Sequence, residues 1–199
     1  MTRTLFYTAT TLDGFLATDD DSLDWLFVQE QEEGGALDYA SFIAGVGAVC
    51  MGATTYEWLV RHLADGGSGE PGGEAGDGGG GWPYSMPCWV FTHRDLPRVE
   101  GADLRFVQGD VEPVWQQMAA AAGDRDVWVV GGGGLAAAFA EAGRLDRLLL
   151  SIAPVTLGSG RPLFPRPFDL RLVETGRNGA FLCATYDVVG PRPAPDRVG

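Results

Sequence analysis

The residues best placed to do chemistry are the four consecutive glycines Gly131-Gly132-Gly133-Gly134. They follow the apolar run Asp126-Val127-Trp128-Val129-Val130 and precede the alanine-rich stretch from Leu135 to Ala142. A buried strand that breaks into glycines and re-enters as a helix presents free backbone N–H groups at a helix N-terminus, where the helix dipole favours an anion. Glycine suits that position because a Cβ would hold phosphate oxygens away from the backbone and block positive φ angles. The geometry suits a pyrophosphate; a tight strand-to-helix turn with no ligand explains the same residues.

Other chemistries find little support. The two histidines, His62 and His93, lie far apart and neither has a second ligand at metal-site spacing, so no metal is expected. There is no GxSxG elbow for a serine nucleophile. The GxGxxG-like strings between Gly66 and Gly81 lack a flanking strand and helix, so they are no dinucleotide fingerprint.

Positioning such a glycine turn requires a sheet with crossover helices, and the hydrophobic pattern supplies one. Strands are predicted over Thr4 to Thr10, Ala48 to Met51, Trp89 to Thr92, Leu104 to Val107, Val127 to Val130, Leu148 to Ala153, Leu170 to Thr175 and Ala180 to Val189. Helices are predicted over Asp38 to Ala44, Thr54 to Leu63, Val111 to Ala121 and Leu135 to Ala142. The last two strands have no helix between them, and Gly176, Asn178 and Gly179 mark a hairpin, so the sheet is expected to be mixed. At 199 residues with 45% hydrophobic content, one domain over residues 1–190 has enough apolar material for a core. Ten of the sixteen residues from Gly66 to Gly81 are glycine, which predicts a mobile surface loop over 64–82. Pro191, Pro193 and Pro195 predict an extended tail over 191–199.

A net charge of −13 argues against nucleic acid and acidic membrane surfaces as partners. Cys50, Cys88 and Cys183 are widely spaced in apolar surroundings, as expected of reduced core residues in a cytoplasmic protein. The N-terminus turns polar by Thr10 and Asp13 without a signal-peptide apolar core, and no run approaches membrane-spanning length.

Four segments in order carry a resemblance: Thr8-Ala9-Thr10-Thr11-Leu12-Asp13-Gly14-Phe15-Leu16-Ala17, Met51-Gly52-Ala53-Thr54-Thr55-Tyr56-Glu57, Val129-Val130-Gly131-Gly132-Gly133, and Ala153-Pro154-Val155-Thr156-Leu157-Gly158-Ser159-Gly160-Arg161-Pro162-Leu163-Phe164. Together they resemble the dihydrofolate reductase superfamily. The SLDG-like opening and the closing PVxLGxGxPLF are similar to the reductase domain of the bacterial riboflavin-pathway deaminase-reductase and its stand-alone relatives. The resemblance implies an α/β fold with a mixed, mostly parallel sheet flanked by helices, a C-terminal antiparallel hairpin, and NADPH as cofactor.

It also implies roles for particular positions. Ala9 and Leu16 match positions that line the nicotinamide, Ala9 through its backbone and Leu16 against the ring edge; ordinary strand packing explains either alone. Gly52, Thr54 and Thr55, with Gly131, Gly132, Gly133, Gly134 and Leu135, match the cofactor's phosphate side, although a threonine there also serves as a helix cap. Ala53 departs from the family, where an arginine often holds the 2′-phosphate. Thr92, His93 and Arg94 match the segment that reaches the adenosine phosphate, and Arg94 offers a forked cation; a solvated loop charge is the alternative. Asp13 and Gly14 read as an Asx-type turn.

On the substrate side Asp24 is the preferred catalytic acid, with Asp38 the other nearby acid, and Trp25 beside Asp24 offers a flat face to a heterocycle. A helix cap followed by a core tryptophan explains the pair equally well. Ser159 and Arg161 match a loop that faces a ribose phosphate in the riboflavin reductases; a tight turn is the competing account. The expected activity is hydride transfer from NADPH to a small pterin- or pyrimidine-like acceptor. The alternatives are 5-amino-6-(5-phosphoribosylamino)uracil reductase of the riboflavin pathway and a non-catalytic nucleotide-binding module. A homodimer is a further family-based expectation, with Leu148-Leu149-Leu150 and the hairpin from Leu170 to Val189 as its candidate surface.

Overall fold

The computed structural model describes residues 2–65 and 81–193. The elements in order are β1 (Thr4–Thr11), β2 (Phe15–Ala17), α1 (Asp24–Phe27), α2 (Tyr39–Ala44), β3 (Val46–Gly52), α3 (Ala53–Ala64), β4 (Cys88–Phe91), β5 (Leu104–Val107), α4 (Val111–Ala122), β6 (Asp126–Gly131), α5 (Gly133–Glu141), β7 (Arg147–Ala153), β8 (Arg161–Pro162), β9 (Phe168–Asn178) and β10 (Phe181–Pro191). The predicted glycine-rich loop at 64–82 falls mainly outside the described residues, as do 194–199 of the expected tail. Within the described part of that loop, Trp82 packs its ring against Tyr56 and Tyr84. Among the described residues no helix is long and apolar enough to cross a membrane.

Eight strands form one sheet in the order β5-β4-β3-β6-β1-β7-β10-β9, and β2 pairs with β8 in a small separate sheet. All pairings from β5 to β7 are parallel, whereas β10 runs antiparallel to both β7 and β9. This is the mixed, mostly parallel sheet expected from sequence. The strand β3 is buried along almost its whole length, as a parallel strand covered on both faces must be, and its continuous run of small and apolar side chains follows from that.

Helices α4 and α5 cover one face around Phe6, Trp89, Val127, Val129 and Phe139. Helices α2 and α3 cover the other around Val49, Met51, Tyr56, Leu59 and Trp128. Strands β3 and β6 are neighbours, yet the helices that follow them lie on opposite faces. The two connections therefore diverge and leave a crevice beyond the carboxyl ends of these strands, the usual ligand position in open α/β sheets.

Three details differ from the sequence expectation. Strand β9 runs to Asn178, three residues past the predicted end at Thr175, so the hairpin turn is Gly179-Ala180 and Gly176 and Asn178 lie in the strand. Gly179 has φ +54°, and a Cβ there would lie 2.2 Å from the carbonyl oxygen of Glu30, so the turn takes its position from the 30–36 segment packed over it. The Asn178 side chain fixes the same segment, accepting from Glu32 N–H at 2.7 Å and donating to the Ala36 carbonyl at 3.2 Å. Second, the glycine run contains no open loop: β6 ends at Gly131, Gly132 caps α5, and Gly133 and Gly134 are already helical. The Gly131–Gly132 peptide is cis. Third, α1, β2 and β8 are additional elements, each of four residues or fewer.

Asp13 ties the first turn to the segment before β8. Its carboxylate accepts from the Thr11 hydroxyl at 2.6 Å and from the backbone N–H groups of Leu157 at 3.0 Å and Gly158 at 2.7 Å. The Thr11 hydroxyl, with those N–H groups, holds the Asp13 carboxyl below the ordinary aspartate value. A carboxylate with a depressed folded-state pKa contributes stability that is present above its unfolded value and is lost as pH falls through the folded value. Hydrogen exchange at the Leu157 and Gly158 amides should therefore stay slow at pH 5 and quicken only below the ordinary aspartate pKa of 3.8. Asp13→Asn should remove that pH dependence, and exchange that is insensitive to acid in the parent protein would disprove the clamp. Phe139, fully buried in α5 and edge-on to Phe91 at 6.0 Å, sets where that helix sits. Urea unfolding of Phe139→Ala should show a loss of about 3–5 kcal/mol.

Candidate active site

The crevice is a cleft of about 600 Å³, within the size range of cofactor and ligand sites. Its walls come from the carboxyl ends of β1, β3 and β6, from the first turns of α3 and α5, and from the 16–31 segment with Arg161 and Pro162 of β8. Of the residues matched to cofactor roles, Ala9, Leu16, Gly52, Thr54, Thr55, Gly131, Gly132, Gly133, Gly134 and Leu135 all line it. Residues distant in sequence thus meet because three parallel strands end side by side.

The two helix N-termini are uncapped by side chains. Gly52 caps α3 and Gly132 caps α5, and glycine has no side chain to accept from the first-turn N–H groups. Those donors need water or a ligand. A Cβ on Gly132 or Gly134 would meet nothing within 4 Å, so the space beside these two residues is open. Gly133 differs: its Cβ would lie 2.3 Å from the Leu163 carbonyl oxygen and 2.4 Å from that of Pro162. It is glycine so that α5 can approach the chain around β8, which closes the cleft on that side. Two helix N-termini without side-chain caps thus border one largely apolar cleft.

Thr92, His93 and Arg94 do not line the cleft. The Thr92 hydroxyl accepts from the Arg94 N–H at 2.9 Å and so shapes the turn after β4. Arg94 forms a two-point ion pair with Glu57 of α3, at 3.0 and 2.8 Å, one turn along the helix from Ala53.

The substrate-side expectations need larger corrections. Asp24 is exposed and is absent from the cleft wall, and Trp25 is buried among Leu26, Ala153, Phe181 and Cys183. The short helix α1 turns its Leu26 toward the cleft and its tryptophan into the core, so the structure does not set an acid beside an aromatic face on the cleft wall. Asp38 caps α2, accepting from the Ser41 N–H at 2.9 Å. Arg161 does line the cleft, but its guanidinium is paired with Asp21 at 2.6 and 3.1 Å. Ser159 lies off the cleft wall and donates to Asp19 at 2.6 Å. Both groups matched to a phosphate are thus already donating to carboxylates.

Sequence reasoning missed Asp21 and the ring-bearing residues Tyr7, Tyr39, Trp58, Tyr84 and Trp128, all on the cleft wall. Tyr7 stacks on Phe42 at 4.0 Å, and the Trp128 indole N–H donates to the Tyr7 carbonyl at 3.0 Å. Trp58 lies nearly parallel to His62 at 4.7 Å, and His62 to Phe27 at 5.5 Å, which ties α1 to α3. The run Asp19-Asp20-Asp21 was a visible signal for the acidic mouth, but nothing local showed that it meets Ser159 and Arg161.

Comparison with known proteins agrees with this geometry. Residues 83–180 match the RibD C-terminal domain family. The uncharacterized protein YwjB of Bacillus subtilis (strain 168) is 29% identical over 163 residues, which cover 81% of this chain and 82% of YwjB. A putative riboflavin biosynthesis protein from Shewanella sp. PV-4 superposes with a TM-score of 0.73 at 20% identity, covering 94% of this chain and 98% of its own. Dihydrofolate reductase from Enterococcus faecalis, solved as a complex with NADP(H) and RAB-propyl, gives 0.54 at 14% identity over 94% and 96% of the two chains. Fold and glycine turn converge with these likenesses: the chain has a dihydrofolate-reductase-like fold, and its residues 83–180 are similar to the RibD C-terminal domain family.

Proposed function

We propose that this chain is an NADPH-dependent reductase that transfers a hydride to a small, flat, heterocyclic acceptor. The observation that carries the reading is the convergence of two uncapped helix N-termini, at Gly52–Thr55 and Gly132–Gly134, on one apolar cleft that Ala9 and Leu16 also line. The first-turn N–H groups of α3 and α5 would hold the cofactor's diphosphate. Ala9 and Leu16 would flank its nicotinamide, and the surrounding rings exclude water from the reacting face. Bound NADPH supplies the hydride, and the protein supplies orientation and a dry, shaped slot.

The choice between NADPH and NADH rests on cations near the start of α3. Ala53 offers none, and Arg94 is held by Glu57 close by. Arg94 remains the residue proposed for the 2′-phosphate, in competition with Glu57. The second reading, a nucleotide-binding module without turnover, has one observation in its favour: among the described residues the only cleft-lining carboxylate, Asp21, is tied to Arg161. The homodimer is likewise proposed, and one apolar strip supports it. Leu170 and Leu172 on β9 sit across from Val188 and Tyr186, and with Leu182 they leave exposed apolar surface at the sheet edge.

Isothermal titration with NADPH and NADH tests the cofactor. NADPH should bind more tightly, and Arg94→Ala should narrow the difference between the two nucleotides. Ala53→Asp puts a negative charge in the first turn of α3, where it favours the helix but repels an anion. It should weaken nucleotide binding about tenfold, ~1.4 kcal/mol, without lowering the unfolding midpoint. Absence of binding by either nucleotide would overturn the reductase reading, and tight binding with no turnover on any acceptor would favour the module. For the dimer, Leu172→Glu should shift the sedimentation coefficient from dimer to monomer, and a monomeric parent protein would refute it.

A further inference from the structure

We infer that the acceptor side of the cleft takes an uncharged planar aromatic molecule, and that it disfavours a phosphorylated or carboxylated one. The inference deepens the reductase reading and rests on it, because that reading makes the space beyond Ala9 and Leu16 the acceptor's place.

Charge sets the first constraint. Among the described side chains that line the cleft, Asp21 and Arg161 are the only carboxylate and guanidinium, and they face one another in a two-point pair. Asp19 lies close enough to act on the same guanidinium and holds the Ser159 hydroxyl. The mouth therefore contains two carboxylates for one guanidinium. An anion that approached Arg161 would have to displace Asp21, which is covalently part of the same chain, and then sit against both carboxylates. Like-charge contacts of this kind are a strong means of rejecting a ligand.

The shape and chemistry of the remaining wall set the second. Leu23, Tyr39 and Trp58, each half-buried, line the same space, and the buried Leu26, Tyr84 and Trp128 complete its wall. Their rings are held before any ligand arrives. Trp58 is stacked on His62, while Tyr39 and Tyr84 stand edge-on to Trp128 at 6.1 and 5.6 Å. Preordered aromatic faces bind flat rings at low entropic cost.

Quinoxaline, a neutral bicyclic ring, and quinoxaline-2-carboxylate form a matched pair of probes. Both are titrated by tryptophan fluorescence into the full chain, with and without saturating NADPH. Quinoxaline should bind about tenfold or more tightly than its carboxylate. Asp21→Asn should release Arg161, and because Asn tolerates the φ of +66° at this position, the loop is kept. In that variant the carboxylate probe should gain about tenfold, while quinoxaline changes less than about threefold. If the parent protein binds the carboxylate as tightly as quinoxaline, or binds neither probe while binding NADPH, the inference is overturned and the reductase reading stands. If quinoxaline binds selectively but neither nucleotide does, the aromatic slot stands and the reductase reading falls.

Discussion

The site depends on how closely α5 can approach the chain that leaves β8. At Gly133 the helix backbone comes so near the carbonyls of Pro162 and Leu163 that a single added methyl group would collide with both. That approach closes one end of the cleft and brings Arg161 to its wall. It also aims the first-turn N–H groups of α5 toward the space that α3 faces from the other side. A bulkier residue would separate helix from loop, and the cleft would open to water there.

The second constraint is topological. Neighbouring parallel strands whose helices leave on opposite faces create a gap that no element of the sheet fills. Here β3 sends α3 to one face and β6 sends α5 to the other. Both helix N-termini therefore border one crevice. On the proposed reading, an anion in this acidic protein would be held by backbone dipoles and not by a cluster of cationic side chains. Side-chain charge gathers instead at the mouth, where Arg161 pairs with Asp21 and Ser159 with Asp19.

Much of the frame was legible because its strands and helices are long enough to show their periods. The parallel strands β1, β3, β4, β5, β6 and β7 read as short apolar runs, and the helices read over Val111 to Ala121 and Thr54 to Leu63 fall within a residue of the observed Val111–Ala122 and Ala53–Ala64. The short elements were not legible: a strand of three residues such as Phe15–Ala17, or two such as Arg161–Pro162, exists only because a partner is there to pair with it. The same limit explains Trp25. Its neighbour Asp24 suggested a substrate face, but which way a one-turn helix points depends on the core beneath it.

The sequence by itself determined the alternation of strands and helices, the glycine turn and the acidic balance of the chain, since each is carried by contiguous residues and their local propensities. Tertiary structure alone decided which charges meet. Asp21 and Arg161 are 140 positions apart and form one ion pair, and Ser159 spends its hydroxyl on Asp19. Pairings at that separation come from loops docked over a finished sheet, and no local pattern in the chain encodes them.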